Sequence, residues 1–173
     1  MFAGLLANVL SADGVADESD VADVLPKLKT IFGQSGYMES SSADLFSQFL
    51  RTGMGAKPIM AGYESQMLEF AVENPDDWNQ VKDDIVVLYP IPTVWSSHPY
   101  LALDEAGSRG IDALLDSEVQ ALAWSKHGFR TGVSGAGADT SKFPVNGLVS
   151  VVTQVASMPD AHVMEEIIAE LGG

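Results

Sequence analysis

Residues 85–89 read Ile-Val-Val-Leu-Tyr, a continuous apolar and largely β-branched run between Asp83-Asp84 and Pro90-Ile91-Pro92. No other stretch constrains the fold as tightly. A run that is apolar at successive positions, not alternate ones, fits a strand buried on both faces. Such a strand needs neighbours in its sheet and layers above and below it, so it predicts an α/β architecture. The prolines end it, and residues 91–99 (IPTVWSSHP) read as an extended connector. Residues 57–63 (KPIMAGY) and 99–103 (PYLAL) are shorter strand candidates flanked by turn residues. Leu148 to Val155 is also apolar and β-branched, compatible with strand or helix.

Elsewhere the apolar periodicity is helical. Phe2, Leu5, Leu6, Val9 and Leu10 share one face of residues 2–11. A second helix is expected over 18–32, with Ser19 or Asp20 as N-cap. Pro26 lies well inside it, which predicts a start nearer Val24 or a bend. Ser40 to Asp44 is a capping stretch for a third helix carrying Leu45, Phe46, Phe49 and Leu50, closed by Gly53 and Gly55. Ser65 to Val72 comes next as a helix broken at Asn74-Pro75-Asp76-Asp77. Gly107–Leu115 and Ser117–His127 are two more, the latter capped by Asp116 or Ser117 and ended by Gly128. Residues 131–142 (TGVSGAGADTSK) read as a Gly/Ser-rich loop, and Asp160 to Leu171 as a terminal helix. Helices thus precede the first clear strand. A complete doubly wound domain is expected to open on a strand, so the chain is expected to begin inside a larger fold.

Charge removes several function classes. The net charge is −15, and residues 61–120 hold 12 acidic and 2 basic side chains. Such a surface repels phosphate backbones and anionic membranes, so no nucleic-acid partner is expected. There is no cysteine, which removes disulfides, thiol nucleophiles and thiolate metal sites. The start, MFAGLLANVLSADG, has no basic region before its apolar run and reads as an amphipathic helix, not a secretion signal. The histidines at 98, 127 and 162 lack metal-ligand spacing, so no metal is expected. Neither Gly132-Val-Ser134-Gly135 nor Gly33-Gln-Ser-Gly36 has G-x-S-x-G form. Gly135-Ala-Gly137 lacks the rest of a dinucleotide fingerprint, and Lys57 before Pro58 is no phosphate-loop lysine. With no catalytic constellation and no cofactor motif, an enzyme is not expected.

Two stretches resemble the type 2 periplasmic binding-protein family. One is Gly55-Ala-Lys-Pro-Ile-Met-Ala-Gly-Tyr63-Glu64-Ser65-Gln66, similar to that family's "G-x-A-x-x-x-x-Y-x-S" strand-to-helix turn in the second lobe. The other runs from Ile85 through Pro90-Ile-Pro92, Leu114-Leu115-Asp116-Ser117-Glu118-Val119-Gln120 and Gly128-Phe129-Arg130. It is similar to the hinge crossing and helix pair that return to the first lobe. The resemblance covers about residues 40–131. It implies three regions: a second lobe at 1–80, a hinge return and first-lobe remnant at 81–131, and a Gly/Ser-rich loop with a helical tail at 132–173.

The function so implied is non-catalytic binding of a small solute or oxyanion in an interlobe cleft. The protein would be an extracytoplasmic receptor delivering to an ABC transporter permease. Tyr63, Glu64 and Ser65 are the main ligand-binding candidates, because backbone N–H groups and a hydroxyl at a helix start suit an anion. The plainer reading is that Ser65 caps the helix. Glu64 would repel an anion, which leaves a cationic or neutral ligand open. Ser41 and Ser42 could hold an oxyanion or simply cap the next helix. Trp95, on the connector, could stack on a ligand or pack between lobes. Unpaired sheet edges of such a piece predict self-association. The alternative is a sensory or interaction protein that keeps the solute-binding fold without transport, within a larger multidomain chain.

Overall fold

The computed structural model describes residues 1–12, 14–35, 42–52, 58–131 and 138–172, and 55% of them are helical. The helices are α1 (Phe2–Leu10), α2 (Val21–Ser35), α3 (Ser42–Thr52), α4 (Glu64–Glu73), α5 (Pro75–Val81), α6 (Glu105–Leu115), α7 (Ser117–His127) and α8 (Ala161–Leu171). They form two compact units, neither continuous in sequence. The first holds Met1–Ser40, Tyr89–Ser96 and Thr153–Gly173. The second holds Ser41–Leu88 and Ser97–Val152. These units group the chain differently from the expected three-part division, since residues 1–40 and 42–80 fall apart from one another.

In the first unit α2 packs on both α1 and α8. Ala7, Ala16, Val21, Val24, Leu28, Val163 and Ile167 form the core, and Leu6, Leu25 and Phe32 pack around it. Small Ala7 on α1 permits the close approach that these aliphatic side chains need. Among the described residues Asn8 is the one buried polar side chain, and it is satisfied at both ends. Its Nδ2 donates to the Ser157 carbonyl at 2.7 Å, and its Oδ1 accepts from Ala16 N–H at 2.9 Å. Asp160 caps α8 by accepting the Val163 N–H at 2.9 Å. Pro26 does not delay α2: the helix begins at Val21, and Val24 N–H bonds to the Asp20 carbonyl. One missing amide bond is outweighed by burial of Val21, Val24 and Leu28 on its inner face.

The second unit is built on α4, against which α3, α5 and α7 pack. Its core is aromatic: Phe46, Trp78, Trp124 and Phe143 surround Met67, Leu68 and Ala71. Both indole N–H groups are satisfied by backbone. Trp78 Nε1 donates to the Pro144 carbonyl at 2.7 Å, and Trp124 Nε1 to the Asp139 carbonyl at 3.1 Å. The sequence around Asn74-Pro75 does not simply break a helix. Pro75 is the first residue of α5, where its missing N–H costs nothing. Asp104 and Asp116 cap α6 and α7 through their side chains, and Gly128 ends α7 in the left-handed conformation (φ +69°).

The strand expectations fare differently. Residues 58–63, 85–90 and 99–103 form no ladder, and no sheet is present among the described residues. Strand-type pairing there is confined to one parallel bridge, Thr93 with Val155, in the first unit. The helix-rich half of the α/β expectation is therefore met, while no sheet is found among the described residues. Of the Gly/Ser-rich segment, residues 132–137 lie outside the described residues, and Thr140–Lys142 is a short 3-10 turn. No described helix is long and apolar enough to cross a membrane.

Candidate functional site

The start of α4 carries a dense polar constellation among the described residues of the second unit. Tyr63 is the N-cap, in extended conformation (φ −85°, ψ 137°). Its N–H donates to Gln66 Oε1 at 3.3 Å, while Gln66 N–H donates to the Tyr63 carbonyl at 3.2 Å. Gln66 thus closes the helix start in the manner of a capping box. Ser65 is left out of the cap, contrary to the plainer reading of the sequence. It sits at the second helical position, half-buried. Among the described residues neither its hydroxyl nor its backbone N–H has a hydrogen-bond partner.

Glu64 is held by Arg130. The guanidinium donates from Nε to Oε2 at 2.7 Å and from Nη2 to Oε1 at 2.8 Å, a bidentate fork. Arg130 also donates from Nη1 to the Ser150 carbonyl at 3.1 Å and from Nη2 to the Val149 carbonyl at 2.5 Å. Its guanidinium carbon lies 5.4 Å from the Trp124 ring centroid. The side chains are 10% and 18% exposed, so this pair is screened little by solvent. Two residues before Arg130, Gly128 lies against the same helix. A methyl group there would come within 2.6 Å of Leu68 Cβ and 3.1 Å of Ser65 Cα.

The two stretches that carry the family resemblance therefore meet. Gly128-Phe129-Arg130 closes directly on Glu64-Ser65-Leu68, although Glu64 and Arg130 stand 66 residues apart in sequence. The Glu64–Arg130 pairing was not legible from the residues, although Arg130 comes directly after the Gly128-Phe129 signature. One turn along, His127 Nδ1 lies 2.6 Å from Glu69 Oε1 and ties α7 to α4 at the surface.

The remaining candidates are dispersed. Ser41 lies outside the described residues. Ser42 is the first residue of α3, with its side chain outside them. Trp95 is 45% exposed and belongs to the first unit, whereas Tyr63, Glu64 and Ser65 belong to the second. A groove of about 440 Å³ in the first unit is lined by Leu5, Val9, Val15, Ile91 and Ala156 among others, and touches none of the expected residues. No group of three or more His, Asp or Glu side chains is placed to hold a metal among the described residues.

Compared with known proteins, the chain matches no family model, no curated sequence and no solved structure at a significant level.

Proposed function

We propose that this chain is the second lobe and hinge return of a solute-binding receptor, and that α4 opens on the solute. The supporting observation is the state of Ser65. Among the described residues its hydroxyl and N–H are two adjacent, unpartnered donors in the first turn of a helix, where the backbone dipole favours negative charge. Arg130 neutralises Glu64 at the adjacent position. With its charge so paired, Glu64 does not oppose an anion at the helix start, and an oxyanion or carboxylate is the preferred solute. Tyr63, 43% exposed, offers a ring beside those donors. Glu64 serves in this reading as the residue that positions the helix start, not as a ligand contact. Ser41 and Ser42 remain candidate contacts. The chemistry is reversible binding without a covalent step. By the same reading the protein works outside the cytoplasm and hands its solute to an ABC transporter permease.

A thermal-shift screen against oxyanions, carboxylates, sugars and amino acids tests this. A ligand of the native state at 100-fold its dissociation constant adds about 2.7 kcal/mol. For a chain of this size that is a rise of roughly 5–10 °C in melting temperature. We expect an anion to give the shift and Ser65→Ala to reduce it. No shift from any class, or a shift indifferent to Ser65→Ala, contradicts the reading.

A further inference from the structure

We propose that Ile85–Leu88 is a strand-docking edge, and that its occupant is an extended segment of a partner protein. That segment would carry apolar side chains at alternate positions and Lys or Arg beside Asp83 and Asp84.

The side chains of Ile85 and Val87 pack on the aromatic core of the second unit. Val86 and Leu88 are instead 77% and 78% exposed. This two-residue alternation is the geometry of a β-strand. Yet among the described residues none of the four makes a backbone hydrogen bond, as donor or as acceptor. A strand-like segment with unpaired N–H and C=O groups is a template for strand addition. Two exposed branched side chains beside those groups favour an occupant that covers them with apolar side chains of its own.

Charge identifies the kind of occupant. Asp83 and Asp84 are exposed at the entry to the edge. Lys82 beside them is tied to Asn79 Oδ1 at 2.8 Å. A second copy of this chain would bring the same two aspartates and a net charge of −15 against −15, and long-range repulsion opposes that encounter. A basic-flanked strand is attracted instead. The edge is independent of solute binding, which uses the start of α4.

The test titrates the full isotopically labelled chain with two synthetic peptides, acetyl-Lys-Lys-Thr-Val-Thr-Val-Thr-amide and its Glu-Glu counterpart. Amide exchange is followed at residues 85–88. We expect the lysine peptide to slow exchange at Val86 or Leu88 roughly tenfold or more. It should bind about fivefold tighter than the glutamate peptide at low salt, with the gap closing at high salt. Val86→Lys with Leu88→Lys should remove binding while leaving the circular dichroism spectrum unchanged, because both side chains are already exposed. Three results overturn the proposal: no added protection from the lysine peptide, equal affinity for both peptides, or concentration-dependent protection of residues 85–88 without peptide, which would mark a second copy as the occupant.

Discussion

The two units solve the same problem with different completeness. In the first, three helices bury aliphatic faces on one another, and its extended segments at Thr93 and Val155 pair with each other. In the second, the helices also close on a core, but the segment 85–88 buries one face and leaves the other open. The difference lies in where hydrogen bonds come from. A helix satisfies its backbone from within, so amphipathic pattern and caps suffice to form it. A strand satisfies its backbone only through another strand, which local sequence does not specify.

A large effect is expected at the part-buried ion pair that joins α4 to the segment after α7. Arg130→Met removes the fork from the part-buried Glu64 carboxylate and should cost about 3 kcal/mol. Adding Glu64→Gln should recover part of that loss, so the double variant unfolds at higher urea than Arg130→Met alone. Equal midpoints would show that the fork acts as no pair at all.

Core truncations set the two units side by side. Leu68→Ala in the second and Leu28→Ala in the first each remove a fully buried side chain, and each should cost about 2–5 kcal/mol. If the units unfold independently, each truncation lowers only one of two transitions in calorimetry. A common shift of a single transition would make them one cooperative body.

Gly128→Ala should cost about 2 kcal/mol. It combines a positive φ with the approach to Ser65 and Leu68. An unchanged melting temperature would remove Gly128 as the point where α7 closes on α4.

The smallest effects are at acidic surface groups. Lys29 holds the Glu170 carboxyl below its ordinary range, chiefly by hydrogen bonding. The Ser19 hydroxyl does the same for Asp17, and the Ser141 hydroxyl for Asp139. A depressed folded-state pKa stabilises above the unfolded value, and that stability is lost as pH falls through the folded one. Urea midpoints should therefore fall below about pH 4, with Lys29→Met less sensitive to acid than the parent chain.

Much of the helical structure was legible in the sequence, for reasons that particular residues make plain. Asp116 and Gly128 bracket α7 where capping chemistry requires, and Asp160 caps α8. Pro75 reads as a breaker from sequence alone, because its role at the first position of a helix depends on the residues after it. Leu114 to Gln120 and Gly128 to Arg130 announce a helix pair and a close. That Arg130 reaches Glu64 is a contact between distant segments with no local signal. Ile85–Tyr89 announces a strand covered on both faces. Its side chains alternate instead between core and solvent, and the run held no information about what would pair with it. Ser65 looks like a cap because serine before an apolar run usually is one. Gln66 takes that role, and Ser65 keeps its donors.

The contrast between a self-satisfied unit and an open strand is tested most directly by residue-resolved amide hydrogen exchange on the chain alone. We expect Val86, Val87 and Leu88 to exchange at rates near those of unstructured peptide. Leu68 and Val163, buried on α4 and α8, should be strongly protected. Protection at residues 86–88 comparable to that of Leu68 would show that the strand already has its partner, and would contradict both that contrast and the docking edge.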